Sequence, residues 1–310
     1  MDNTRMQEWL EQAREAFFSL DLRETDSELT VEERDEWNAI YASFRSGSLM
    51  QGEVIGVERV MIEEHTTESH GEHDVDEESE QGVLCLTIIP YRVKILIPAP
   101  LVWCEPEERE EFVLQSMGGA KVEFVIIAVD RQGGCAIASR AMALMHRRRI
   151  AHEKEKIEIG AIIPCQVIAV GFSLLTVTAL GYDNTLTPPG LSYAYLGDLR
   201  QIYRPGQTIK AKIMAADDEY MELSVKEAAP NPYNGAEKRH PIGSVRLATI
   251  MNKYKGGVFC RLSDGCTVVC RYAHHFTDDQ FQVNDTVNIM ITAFSDDRQW
   301  LRGKIRGKIG

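Results

Sequence analysis

Hydrophobic and polar positions change their period once along this chain. Up to residue 45 the apolar residues recur at helical spacing. Met6, Trp9, Leu10, Ala13 and Phe17 form one stripe, and Trp37, Ile40, Tyr41 and Phe44 form a second. Thr30 and Glu33 precede the second with the spacing of a capping box. Two N-terminal helices are predicted over 1–45, each stripe packing on its neighbour or on the next domain, or docking a protein partner. From residue 46 onwards short runs with strand patterning take over. "SGSLMQGEVIGVERV" (46–60), "IEIGAIIPCQVIAVG" (157–171) and "HPIGSVRLATIMNKY" (240–254) share one opening pattern. Each is answered later by an apolar strand, a polar turn with Asp130, Asp217 or Asp296, and a second strand ending in a basic residue. Three copies of one unit account for this.

The fold class expected is therefore mainly β, three tandem five-stranded barrels of OB type behind two helices. The boundaries predicted are 1–45 for the helices, 46–145 for the first barrel, 157–227 for the second and 240–308 for the third. Loop 61–81, rich in carboxylates and without a strong hydrophobic residue, interrupts the first barrel as an extension expected to be disordered. Residues 141–156 read as a helix whose basic run, His146 to Arg149, is expected on a solvated face, with a phosphate contact as the alternative. The prolines, asparagines and glycine of 227–241 read as a linker that lets the last barrel move by itself.

Charge sharpens this picture. The net charge of −13 excludes a protein that coats nucleic acid by bulk attraction. It is unevenly spread, however. Residues 1–45 carry 5 Lys+Arg against 12 Asp+Glu, whereas residues 237–310 carry 12 against 7. No apolar run approaches the roughly 20 residues of a membrane helix, and the N-terminus has no basic start followed by an apolar stretch, so a cytoplasmic protein without membrane contact is expected. The seven cysteines are odd in number and scattered, as expected of reduced core thiols. Cys260, Cys266 and Cys270, with His274 and His275 nearby, match no common zinc spacing, and His65, His70 and His73 lie in the acidic loop, so no metal is expected.

Candidate chemistry concentrates in the last copy. In "YKGGVFCRLSDG" (254–265), alternation places Val258, Cys260 and Leu262 on the core face and Phe259 and Arg261 outside. In "RQWLRGKIR" (298–306) it places Leu301, Gly303 and Ile305 inside and Arg298, Trp300, Arg302, Lys304 and Arg306 outside. Lys253, Tyr254 and Lys255 precede the first of these strands, and Arg271 and Tyr272 follow the next. Single-stranded nucleic acid needs this mixture of rings that stack bases and cations that replace counterions. Coverage of Phe259 and Trp300 by the middle domain or a helix is the competing reading. The second strands of the earlier copies, "GVLCLTII" and "SLLTVTAL", offer no outward aromatic, so those copies are expected to act as spacers or protein contacts.

The last copy resembles the S-one repeat, the RNA-binding barrel named after the largest protein of the bacterial small ribosomal subunit. The similarity is carried by "GSVRLATIMNKYKGGVFCRLSDGCTVVC" and "VNDTVNIMITAFSDDRQWLRGKI". The middle copy resembles it through "RPGQTIKAKIMAADDEYMELSVK", and the first only at its ends. The resemblance implies bases stacked on aromatics of the second and third strands, with Phe259 as the second-strand ring. Where the family often has a histidine late in the third strand, this chain has Cys270. The partners implied are single-stranded RNA and a ribosome or other ribonucleoprotein.

No catalytic constellation is legible, so no enzyme activity and no cofactor are expected. "SMGGAK" lacks the full phosphate-cradling loop and precedes a strand. The acidic pairs Asp217–Asp218 and Asp296–Asp297 fall at hairpin turns. The alternative class is an interaction or assembly protein, for example encoded by a phage or mobile element, using barrels as scaffolding.

Overall fold

The computed structural model describes residues 29–60, 82–104, 111–154, 157–217 and 219–309. The first apolar stripe and loop 61–81 lie outside the described residues. Helix α1 (Val31–Ser46) starts where its sequence says it should. The Thr30 hydroxyl accepts from the Glu33 N–H, the Glu33 carboxylate accepts from the Thr30 N–H, and Gly47 ends the helix in the left-handed region. Trp37, Ile40 and Tyr41 are buried in the core of the first β domain. Glu36 accepts from the backbone N–H groups of Tyr91, Arg92 and Val93. Burial of a side chain the size of Ile40 contributes about 1.5–3 kcal/mol, and this stripe is therefore used internally rather than offered to a partner.

Strands β1 (Met50–Val60), β2 (Val83–Ile88), β3 (Lys94–Pro98), β4 (Lys121–Asp130) and β5 (Cys135–Ser139) close a barrel in the order β1-β2-β3-β5-β4, with α2 (Glu111–Gln115) between β3 and β4. Strands β3 and β5 pair in parallel and the other neighbours are antiparallel. Helix α3 (Arg140–Lys154) continues directly from β5. The last five strands, β11 (Val245–Tyr254), β12 (Gly257–Arg261), β13 (Thr267–Arg271), β14 (Thr286–Ser295) and β15 (Trp300–Lys308), close a second barrel in the same order. This is the OB order.

The middle copy differs from the closed barrel expected. Strands β6 (Ile162–Val170), β7 (Leu175–Ala179), β8 (Tyr182–Leu186), β9 (Thr208–Ala216) and β10 (Met221–Ser224), with α4 (Pro188–Leu191) after β8, keep the sequential neighbours but form an open sheet, β10-β9-β6-β7-β8. Strand β10 has only four residues, and the Leu223 N–H donates to the Asn184 side-chain oxygen (3.2 Å) where β8 and β10 meet. A side-chain amide takes the place of the ladder bond that would have closed the seam.

A β-bulge in the first strand of each copy serves as an internal ruler. The register shifts between Val54 and Gly56, between Val167 and Ala169, and between Ile250 and Asn252. The partners immediately beyond the bulge are Thr87, Thr176 and Phe259. The outward ring of the third copy thus replaces a buried threonine in each of the others.

The copies are joined by specific contacts. Arg140 is 1 % exposed; its guanidinium lies 5.1 Å from the Trp103 ring, donates to the Val102 carbonyl, and makes two bonds of 2.7 and 2.8 Å to the Asp183 carboxylate. Gly181, at φ +88°, lets the β7–β8 turn approach α3 so closely that a Cβ there would meet the Leu144 carbonyl at 2.4 Å. Arg148 donates to the Gly181 carbonyl and covers the Tyr182 ring, and Arg147 pairs with Glu123. Of the basic run, Arg148 therefore joins the first and middle copies and Arg147 ties α3 back to the first barrel, so both are half-buried instead of lying on the solvated face expected of them. The end of the linker is fastened to the third barrel itself. Tyr233 donates to Asp296 (2.6 Å), Asn231 to the Gln299 side chain (2.8 Å), and Arg239, in α5 (Ala236–Arg239), to Asp264 (2.8 Å).

Candidate functional site

Strand β12 alternates as its sequence requires. Val258 and Cys260 are buried, Phe259 is half-buried and Arg261 is exposed. Gly257 is needed here because a Cβ would meet the Cys270 carbonyl at 2.2 Å and the Tyr254 hydroxyl at 2.5 Å. Its absence lets the Tyr254 ring fold over the strand, with its hydroxyl donating to the Cys270 carbonyl (3.3 Å). Burial is the chief reason that the Tyr254 hydroxyl has a raised pKa.

Phe259 is the centre of a ring cluster. Tyr254 lies 5.2 Å away, Trp300 6.0 Å, and Tyr195 of the middle copy stacks on it at 5.7 Å with 14° between planes. The expectation of an outward ring holds, but the middle copy covers one of its faces. Coverage by the middle domain, the competing reading, is realised for Phe259. Trp300 keeps a half-buried position with the Arg298 guanidinium 5.2 Å from its ring.

Tyr254, Arg271, Arg298, Trp300 and Arg302 line one groove of about 520 Å³ across the barrel face. Gly303 of β15 also borders it but turns inward, where a Cβ would meet the Cys270 sulfur at 2.9 Å in the barrel core. Among the described residues no carboxylate pairs with Arg271, Arg298 or Arg302. Lys304 is half-buried and sits opposite Arg271 in the parallel β13–β15 pairing. Lys255 is exposed at the β11–β12 turn, and Arg306 is exposed further along β15. Arg261 is exposed too but lines a different depression, with Leu247 and Thr249.

Two of the expected site residues are turned away from the groove. The Lys253 ammonium pairs with the Asp278 carboxylate (2.8 Å) and donates to the Asp278 and Phe281 carbonyls. Tyr272 stacks on Phe281 and donates to Asp278 (2.6 Å). The segment after β13 folds back over the barrel end and takes both side chains into a structural corner. Hydrogen bonds from Lys253 and then Tyr272 hold the Asp278 carboxyl below its ordinary value. Cys270 faces the core, and its thiol is pushed up by its contact with Cys260 and by burial.

Sequence spacing missed two features. Phe172, 63 % exposed, and Tyr195, 39 % exposed, lie in loops of the middle copy. Cys266 associates with His240 and Asp264, their ligand atoms all within 4.8 Å, and not with the other cysteines or with His274 and His275. These groups are already partnered. His240 Nε2 is 2.8 Å from Asp264, Arg239 donates to the same carboxylate and to the Cys266 sulfur, and Arg246 donates to His240 Nδ1. A guanidinium is always a donor, so Nδ1 accepts and Nε2 carries the proton given to Asp264. The guanidinium of Arg239 occupies the place a cation would take. Burial raises the Asp264 pKa, but the bonds from His240 and Arg239 outweigh it and hold the carboxyl well below its usual range.

Fold and face together define an OB-type β protein with a cationic, aromatic groove on its third barrel. No family model matches the chain. It is 22 % identical over 228 residues to the small ribosomal subunit protein bS1 of Neisseria meningitidis, which covers 69 % of this chain and 39 % of that protein. With the bS1 homolog of Bacillus subtilis it is 23 % identical over 184 residues, 57 % of this chain and 47 % of that protein. The 4-hydroxy-3-methylbut-2-enyl diphosphate reductase of Clostridium acetobutylicum is 25 % identical over 178 residues, 56 % of this chain and 27 % of that protein. The chain spans between about a quarter and a half of the length of these relatives. Among the described residues no helix is long and apolar enough to cross a membrane.

Proposed function

We propose that this chain binds single-stranded RNA in the groove of the third barrel and acts as a binder, not as an enzyme. Trp300 and Tyr254 supply ring surface for bases, and Arg271, Arg298 and Arg302 hold phosphates on either side. The observation that carries the reading is one groove in which three arginines without carboxylate partners surround two aromatic rings. Cations without carboxylate partners beside half-buried rings are poor for stability and suited to a polyanion with π faces. The similarity to small ribosomal subunit proteins supports RNA as the polymer and a ribonucleoprotein as its setting.

The test is fluorescence anisotropy of a labelled oligoribonucleotide with the full chain at low and physiological salt. Binding that weakens steeply with salt, and that Trp300→Ala and Arg302→Gln each reduce with circular dichroism unchanged, is the expected result. No binding by the unaltered chain at low salt would overturn the reading and return the ring cluster to a protein-scaffolding role.

A further inference from the structure

The third-barrel groove does not end at Trp300. Trp300 and Arg298 also line a second groove, of about 480 Å³, on their other side. Its remaining walls come largely from the middle copy, among them Phe172, Tyr195 and Lys226. The two rings from the middle copy are the exposed ones of this surface, Phe172 63 % and Tyr195 39 %. Phe259 is closed on one side by Tyr195 and is flanked by Tyr254 and Trp300. A base arriving from the third barrel thus meets Tyr195, not Phe259, as its next free platform. Cations accompany the rings here as well, with Lys226 4.5 Å from the Tyr193 ring and Arg298 at the shared edge.

Resting on the RNA-binding reading above, we infer that the binding track is composite. The strand crosses Trp300 and continues into the groove between the middle and third copies, where Tyr195 and Phe172 stack further bases and Lys226 contacts a phosphate. Tyr195 extends the platform begun by Phe259, since two nearly parallel rings present a further parallel face outward. The physical consequence is a site longer than one barrel can provide, with an orientation of the two copies held by the contact that also binds the ligand. The Thr267 hydroxyl donates to the Tyr193 carbonyl (3.3 Å), and Tyr193 donates to Glu227 (3.0 Å), which fixes the loop carrying Tyr195 to both the third barrel and the linker.

The experiment compares two oligouridylates on the full chain, one of about 4 nucleotides and one of about 12, at the short end and in the upper part of the range of OB sites. Trp300→Ala is expected to weaken both. Tyr195→Ala is expected to weaken the long one by about 5- to 150-fold, the equivalent of one stacked base, while leaving the short one unchanged. Tyr195→Phe keeps the ring and should bind both as the unaltered chain does. On the unaltered chain, 4-thiouridine photo-adducts of the long oligonucleotide should fall on peptides containing Tyr195 or Phe172 as well as on the third barrel. Long-oligonucleotide binding by Tyr195→Ala that equals or exceeds that of the unaltered chain, or adducts confined to residues 240–308, would overturn the composite track and leave third-barrel binding standing. Failure of the unaltered chain to bind either oligonucleotide overturns both.

Discussion

The first and third barrels share strand order, closure and even the bulge in their opening strand, yet their outward faces are built to opposite ends. At the position set by that bulge the first barrel has Thr87, 5 % exposed, whose hydroxyl donates to Glu58 (2.8 Å). Glu58 in turn pairs with Lys94 (2.7 Å), and these bonds lower its pKa. These three polar groups answer one another. The third barrel has Phe259 at the same register, and the arginines around it have no acidic partner among the described residues. One frame therefore supports a self-satisfied surface or an unsatisfied one. The difference is made by a few outward side chains, because the inward alternation that closes the barrel leaves the outward set free to vary.

The largest expected effect lies on the self-satisfied side. Arg140→Ala leaves the Asp183 carboxylate, its side chain 10 % exposed, without its partner and should cost about 3–5 kcal/mol, measured by urea unfolding. If the two faces are as independent as their chemistry implies, RNA affinity under folding conditions will not change. Next in size, Trp300→Ala should lose about 1–3 kcal/mol of RNA binding, whereas Thr87→Ala in the first barrel should lose none; equal losses in anisotropy titrations would erase the distinction between the barrels. A smaller effect concerns acid. The Asp264 carboxyl has a lower pKa folded than unfolded, so its stabilisation is complete above the unfolded value of about 3.9 and disappears as pH falls through the folded one. Asp264→Asn should therefore lower thermal stability near neutral pH by about 1 kcal/mol, screened by its partial exposure, and the difference from the unaltered chain should shrink below about pH 4. The smallest effect is on salt dependence. Removing one phosphate contact by Arg302→Gln should reduce the slope of log affinity against log salt by about 0.7, while Arg92→Gln, whose parent is paired with Glu33 in the first barrel, should leave it unaltered.

Much of the fold was legible because its signals are local. The capping box of α1, the alternation in β12 and β15, and the Asp turns depend on residues close in sequence, and Asp130 and Asp217 do accept from nearby backbone N–H groups in those turns. The site was legible in part. Alternation can state that Trp300, Arg302 and Phe259 face outwards, but not what stands opposite them. Tyr195 and Phe172 sit in loops, where no period marks them. Lys253 and Tyr272 looked like site residues by proximity, and the segment that returns over the barrel end claimed both through Asp278.

The sequence by itself determined three repeats of five strands, a basic last copy in an acidic chain, and the inward or outward sense of the residues in β12 and β15, since pattern and charge are properties of neighbours along the chain. Tertiary structure decided the seam left open in the middle sheet, the stacking of Tyr195 on Phe259, the fastening of the linker's end to the third barrel, and the meeting of His240, Asp264 and Cys266. Each of these joins groups far apart in sequence or in different copies, and a contact of that kind is set by how folded units pack, which no local period encodes.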